Sequence, residues 1–277
     1  MKASSFDYLT AKTVADASRA LATGGGTTVA IAGGQSLVPM LNLRVAQPDL
    51  IVDLGDLEEL KEVSLSPGTV RIGALTTHAA IEDGLFADAF GGLMQKVAAK
   101  IAYRAVRHHG TVGGSVALAD PAADWPGCLM ALDAIVLISG LNSTRTEPIH
   151  SFVQGQYLTS LAAGEVIVGF DVPRPSVPLR WGVCKVARKS GAFADSIAFA
   201  VAHGKGGPVS VVLAAAAPRP HLLPRVAEKA RAGAISDDAL RTAIAEEIAP
   251  LMPQGDAYLM RLHTSTVARA VREMQSK

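Results

Sequence analysis

Apolar segments alternate with polar, glycine- and proline-rich punctuation along this 277-residue chain, and their spacing predicts its elements. Val14, Ala17, Ser18 and Leu21 recur at helical spacing, and Gly24-Gly25-Gly26 stops that helix. The β-branched run Thr27 to Ile31 predicts a strand, which ends in Ala32-Gly33-Gly34-Gln35-Ser36 before a second apolar segment, Leu37 to Leu43. Leu50 to Leu54 reads as another short strand. Glu62 to Leu65 and Val70 to Leu75, separated by Ser66-Pro67-Gly68-Thr69, predict a hairpin. Thr77 is suited to cap a short helix, and a longer helix is expected over Ala87 to Ala102. A second glycine turn follows, Gly110-Thr111-Val112-Gly113-Gly114-Ser115. Pro121 suits the first turn of a helix with its body at Ala122 to Leu132, and Ala134 to Ser139 reads as a buried strand.

Val166 to Val172 is a strand closed by Pro173, Pro175 and Pro178, the most linker-like piece of the chain. Beyond it, strands near Gly182–Arg188, Ser196–Ala202 and Pro208–Ala217 precede helices over Arg225–Ala232, Ser236–Ile248 and Asp256–Met274. Strands followed by a block of helices indicate an α+β arrangement. The length suggests two domains, or one with a satellite.

Composition narrows the function classes. A hydrophobic share of 49% with 18% charged residues describes a globular chain. A net charge of +1 and scattered arginines give no basic footprint for nucleic acid. Cys128 and Cys184 are too few for an iron–sulfur cluster or a thiolate zinc site, and each lies in an apolar run expected to bury a free thiol. Met1 to Thr13 has no apolar signal core, and no integral membrane segment of ~20 apolar residues is present. By elimination, the expected location is cytoplasmic.

The candidate chemistry lies at the two glycine turns. AGGQS at 32–36 and GTVGGS at 110–115 share a small-Gly-Gly-polar pattern. Without Cβ atoms, successive backbone N–H groups can converge on an anion, and serine and threonine hydroxyls add donors. Neither segment has a lysine, so a phosphate would be held by backbone dipoles and a helix N-terminus. Neither matches a P-loop or GxGxxG. A single Gly-Gly turn is better explained by tight packing; two, each after an apolar segment, are stronger evidence for a ligand than either alone. Asp124, one helical turn beyond Pro121, is positioned to accept hydrogen bonds from sugar hydroxyls. The alternative is that Asp120 caps the helix and Asp124 is solvated. His108 and His109 are adjacent without companion ligands, so no metal site is expected.

Four segments together carry a resemblance: AGGQSLVPMLNLR (32–44), GTVGGSVALADPAAD (110–124), KVARKSGAFA (185–194) and DAYLMRLHTSTVARAVREM (256–274). The chain resembles, over nearly its whole length, the medium, FAD-binding subunits of bacterial molybdenum hydroxylases, the family of carbon monoxide dehydrogenase and xanthine dehydrogenase. The resemblance implies a vanillyl-alcohol-oxidase-like (PCMH-type) FAD-binding fold, with two α/β subdomains over 1–177 and a smaller C-terminal α+β domain over 178–277. It implies that Ala32, Gly33, Gly34, Gln35, Ser36 and Leu37, with Thr111, Gly113, Gly114 and Ser115, surround the FAD diphosphate. Asp124 would then take a ribose-like hydroxyl. Ile101 and Ile167 would line the cofactor, Lys185 would contact the flavin, and Phe193 would face the isoalloxazine ring. Core packing is the alternative for Ile101, Ile167 and Phe193, and solvent exposure for Lys185.

The implied partners are a molybdopterin-binding large subunit and a small subunit with two [2Fe–2S] clusters, commonly in a heterohexamer. Molybdopterin and clusters would reside only in those partners. This chain would take electrons from the clusters and pass them to an external acceptor, with no catalytic side chain of its own. Non-covalent FAD is expected, because Gly33-Gly34-Gln35-Ser36 offers no histidine or cysteine for attachment. Members commonly have Asn-Arg where this chain has His108-His109, and Tyr103-Arg104-Ala105 also departs from the usual pattern. No cysteine-bearing insertion is present, so an extra cluster is not expected. Two other functions share these features: a free-standing FAD-dependent dehydrogenase or oxidase, and a non-catalytic nucleotide-binding module.

Overall fold

The computed structural model describes residues 2–24, 27–233, 235–252 and 255–277. Strand β1 (Asp7–Thr10) leads into helix α1 (Val14–Thr23). Thr13 caps that helix, its Oγ1 accepting the Asp16 N–H at 3.0 Å. Ala17 and Ser18 are buried on the face that the spacing predicts, and the Gly24 N–H closes the helix on the Ala20 carbonyl. Gly25 and Gly26, part of the expected stop, lie outside the described residues. Strand β2 (Thr28–Ile31), helix α2 (Leu37–Asn42) and strand β3 (Leu50–Asp53) form a strand–helix–strand unit. β3 pairs in parallel with both β1 and β2, making a three-stranded layer. The first glycine turn is the β2–α2 connection.

Strands β4 (Val63–Ser66) and β5 (Thr69–Gly73) form the predicted hairpin. Helix α3 (His78–Glu82) begins at Thr77, whose Oγ1 accepts the Ala80 N–H at 3.1 Å. The helix expected over Ala87 to Ala102 shrinks to α4 (Leu93–Ala98). Gly91 and Gly92 adopt φ +61° and +80°, and the Asp88 carboxylate accepts the Phe90 and Gly92 amides. That side-chain-to-backbone turn replaces the first helical turns.

Helices α5 (Arg104–Arg107) and α6 (Val112–Leu118) follow. Thr111 caps α6 through a 3.0 Å bond from the Gly114 N–H. Gly113 and Gly114, expected in a turn, are therefore in the first turn of a helix, and neither has a positive φ. Helix α7 (Asp124–Ala131) starts three residues beyond Pro121 rather than around it. Asp120 instead forms a turn, its Oδ1 accepting the Ala122 N–H at 2.9 Å. Every residue of α7 is buried, as suits an apolar helix held between two layers.

Strands β6 (Ile135–Ser139) and β7 (Thr144–Pro148), helix α8 (Ile149–Phe152), the small pair β8 (Val153–Gly155) and β9 (Leu158–Thr159), and strand β10 (Val166–Pro173) complete this part. The antiparallel sheet runs β4-β5-β10-β6-β7. A register shift in β10 between Ile167 and Gly169 breaks its pairing with β6. Val166 and Ile167, pointing to opposite faces of the strand, serve two different cores.

The remaining strands, β11 (Leu179–Val186), β12 (Ser196–His203), β13 (Val209–Ala214) and β14 (His221–Leu222), form a second antiparallel sheet in sequence order. Helices α9 (Pro224–Arg231), α10 (Asp237–Ile248) and α11 (Ala257–Ser276) cover one of its faces. Small residues allow the close approach: a Cβ on Gly182 would lie 2.0 Å from the Ala270 carbonyl oxygen of α11. Along β12, Ala198, Ala200 and Ala202 face these helices, while Ile197, Phe199 and Val201 join the main core around Trp125 and Phe170. That main core draws residues from both sides of residue 177. Cys128 is a buried free thiol; Cys184 is free and half-buried. Among the described residues, no helix is long and apolar enough to cross a membrane.

Candidate functional site

A cavity of about 470 Å³ opens between the parallel layer and α6–α7, a size that suits a small organic ligand. All fifteen residues singled out from the sequence line it: 32–37, Ile101, Thr111, Gly113, Gly114, Ser115, Asp124, Ile167, Lys185 and Phe193. Their chemical environments differ sharply.

The first glycine segment is an amide cradle. Gly34 adopts φ +69°, a conformation that glycine reaches without strain. Gly33 lies against the neighbouring chain so closely that a Cβ there would sit 1.8 Å from the His109 carbonyl oxygen. The amides of Gly33, Gly34, Gln35, Ser36 and Leu37 donate to no acceptor among the described residues; the next one, Val38 N–H, returns to the Gly34 carbonyl at 3.0 Å. Successive free N–H groups around a left-handed residue make an anion-binding concavity.

The second segment works differently. Val112 N–H donates to the Thr76 carbonyl at 3.0 Å, Gly113 N–H to the Ala74 carbonyl at 2.8 Å, and Gly114 N–H to Thr111 Oγ1 at 3.0 Å. These three amides are engaged, so of the two segments only the first presents a run of free backbone donors. Glycine is needed at 113 for packing: a Cβ would lie 2.6 Å from the Ala74 carbonyl oxygen. The segment offers the cavity a close-packed wall and the side chains of Thr111 and Ser115.

Asp124 and Lys185 form a buried ion pair, Nζ to Oδ2 at 2.8 Å, and Lys185 Nζ also reaches the Lys100 carbonyl at 3.2 Å. Neither side chain is solvated, which removes the solvent reading for both. Burial raises the Asp124 pKa, while the Lys185 ammonium opposes the rise. Asp124 Oδ1 is buried without a hydrogen-bond partner. An orphaned acceptor on a cavity wall is a place for a ligand hydroxyl.

Ile101 is held by Arg107. The guanidinium donates to the Ile101 and Ala102 carbonyls at 2.8 and 3.1 Å and clasps the Glu82 carboxylate at 2.7 and 3.0 Å. Arg104, in the segment that departs from the family pattern, binds Glu82 and Asp83 and donates to His108 Nε2 at 3.2 Å. These guanidinium bonds hold both carboxyls below their ordinary pKa. Ile167 is buried against the main core. Phe193 stands 64% exposed on the rim, beyond Gly191, which presses on the Ala102 carbonyl.

Sequence reasoning missed His78, Val106, Leu161 and Glu165, which also line the cavity. His78 was visible only as the residue after a helix cap. Its buried bond to Trp125, 47 positions away, has no local signal.

A run of free amides and a buried, half-satisfied carboxylate on the wall of one cavity suit a nucleotide-cofactor-binding protein of the α+β class. The comparisons agree. A family profile described as "FAD binding domain in molybdopterin dehydrogenase" matches residues 4–175. The 6-hydroxypseudooxynicotine dehydrogenase complex subunit alpha of Paenarthrobacter nicotinovorans is 41% identical over 174 residues, 63% of this chain and 59% of that protein. The carbon monoxide dehydrogenase medium chain of Hydrogenophaga pseudoflava is 34% identical over 205 residues, covering 74% of this chain and 71% of that one. The match to the first of these thus spans less than two thirds of its length. Among solved structures, carbon monoxide dehydrogenase from Hydrogenophaga pseudoflava superposes with a TM-score of 0.91 at 30% identity, covering 100% of this chain and 99% of that one. Quinoline 2-oxidoreductase from Pseudomonas putida 86 gives 0.87 at 31% identity, with the same coverage.

The chain belongs to the family of FAD-binding domains of molybdopterin dehydrogenases, whose members include the medium chains of carbon monoxide dehydrogenases. The residues present fit that cofactor. The amides of Gly33 to Leu37 have no acceptor among the described residues, and the buried Asp124 Oδ1 has no donor.

Proposed function

We propose that this chain is the electron-transfer subunit of a molybdenum hydroxylase, taking electrons from [2Fe–2S] clusters of a small partner subunit and passing them to an external acceptor. The observation that carries the reading is the run of five free amides from Gly33 to Leu37 lining the same cavity as Asp124, whose buried Oδ1 is orphaned. In this reading the Gly33–Leu37 amides hold the FAD diphosphate, with Ala32 beside them and Thr111, Gly113, Gly114 and Ser115 as the facing wall. Asp124 takes a ribose-like hydroxyl and is paired with Lys185, which lies beside the flavin. Ile101 and Ile167 exclude water, and Phe193 covers the isoalloxazine edge from the rim. Bound FAD supplies reversible uptake and release of electrons; the chain supplies position and electrostatics.

The chain's units in this reading are 1–177 and 178–277, packed on a shared core. Its partners are a molybdopterin-binding large subunit and the [2Fe–2S] small subunit, in a cytoplasmic heterohexamer. The relatives named as a complex subunit alpha and as a medium chain support the subunit reading.

The test has two stages. Acid precipitation of the purified protein is expected to release FAD into the supernatant; flavin retained in the pellet would overturn non-covalent binding. Anaerobic mixing with the complex's substrate is then expected to reduce the flavin only when partner subunits are present. Rapid substrate-dependent bleaching of the lone chain would establish a free-standing dehydrogenase instead, and a protein that never binds flavin would leave a nucleotide-binding module.

A further inference from the structure

We propose that His78 is a fixed neutral hydrogen-bond donor to a phosphate oxygen of the bound dinucleotide, acting through Nε2–H beside the Gly33–Leu37 amides. The inference rests on the flavin-nucleotide reading above and adds a side chain to a cradle otherwise built from backbone.

His78 is the first residue of α3, buried, and on the cavity wall. Its Nδ1 accepts the Trp125 indole N–H at 3.0 Å. An indole nitrogen donates and never accepts, so Nδ1 carries no proton and the imidazole proton is on Nε2. An imidazolium would set N–H against N–H and lose that buried bond. Burial, with the Arg107 charge adding to it, pushes the His78 pKa down to about 4, in keeping with a neutral ring.

Nε2 has no hydrogen-bond partner among the described residues. It faces Gly110 so closely that a Cβ there would sit 2.7 Å away. Gly110 is also where the first glycine segment arrives: a Cβ on Gly33 would lie 3.0 Å from the Gly110 Cα. The Nε2 edge of His78 and the free-amide segment therefore approach each other through Gly110, and all three line the cavity. Neither glycine segment carries a lysine. A histidine locked in one tautomer supplies a directed side-chain donor there without a change of charge near neutral pH.

The test measures equilibrium binding of FAD, and of ADP as a probe with the diphosphate but no flavin, to the flavin-depleted full chain and its variants. His78→Leu is expected to weaken both ligands by a similar factor, about 10- to 100-fold. His78→Gln, which keeps a donor, is expected to stay close to wild type, and circular dichroism checks each variant's fold. Nitrogen-15 NMR of the unaltered chain gives a second readout: a neutral, Nε2-protonated His78 at pH 7 with and without ADP. Either an imidazolium or an Nδ1-protonated ring would overturn the inference. So would a folded His78→Leu protein that binds both ligands like wild type, or one impaired for FAD alone, which would move the contact to the flavin end. Wild-type protein that takes up neither ligand would remove the flavin reading itself, and this inference with it.

Discussion

Lys185 and Asp124 neutralise each other as a buried pair, so removing either leaves an unpaired buried group. Lys185→Met should leave a buried carboxylate unpaired and lower the unfolding free energy by about 3–5 kcal/mol. The double variant Lys185→Met with Asp124→Leu should recover much of that loss in urea denaturation, while FAD retention should stay impaired. Two single variants whose losses simply add would contradict the pairing. His78 gives a pH signature of the flavin-free chain. Its folded pKa of about 4 lies below the ordinary 6.5, so the unfolded state binds a proton first as pH falls. Stability is therefore full above pH 6.5 and declines through pH 6.5 to 4, by about 3 kcal/mol for this group. The raised Asp124 pKa acts in the opposite sense, so the informative quantity is the difference between wild type and His78→Gln. Wild type should lose stability relative to His78→Gln as pH falls through the same window; a pH-independent difference would contradict the buried neutral ring.

At the scale of elements, the two glycine segments look alike in sequence and do different work. The β2–α2 connection uses glycine to reach positive φ and to expose amides; the start of α6 uses it to lie against Ala74. Gly34→Val should leave a folded protein that no longer retains FAD, because a β-branched residue at φ +69° distorts the cradle. Gly113→Val should instead destabilise the fold, since its side chain meets the Ala74 backbone. Circular dichroism melting and flavin absorbance, read together, separate the two effects. Equal melting temperatures for both variants would contradict this division.

For the whole molecule, the main core determines what can stand alone. Trp181, Val183, Ile197, Phe199, Val201 and Val212 come from beyond residue 177 and pack with Ile72, Trp125, Leu129 and Phe170 from before it. A fragment ending at residue 177 would expose those partners to water, and is expected to show no cooperative thermal transition. A sharp transition in that fragment would mean that the first unit supplies its own core. A further tie crosses the same boundary: Glu273 of α11, which also accepts the Val183 N–H at 3.0 Å, bonds Lys96 of α4 at 2.6 Å.

Much of this protein follows from its sequence because the signals act within a few residues. Thr13, Thr77, Ser236 and Asp256 each accept a backbone N–H in the first turn of the helix they start. Apolar periodicity located α1, β10, β12 and α11 within a few residues of their ends. The four matched segments were sufficient to recognise the family. One local signal competed with the periodicity: Asp88, binding amides two and four residues on, and two left-handed glycines cut short the helix predicted before Leu93. Tertiary structure decided the rest. Gly113 and Gly114 became helical because Thr111 capped them and Thr76 and Ala74 took the amides of Val112 and Gly113. Asp124 meets Lys185 across 61 positions and His78 meets Trp125 across 47. No local spacing encodes such pairs, because which polar groups share a dry pocket is set only when separate layers close over them.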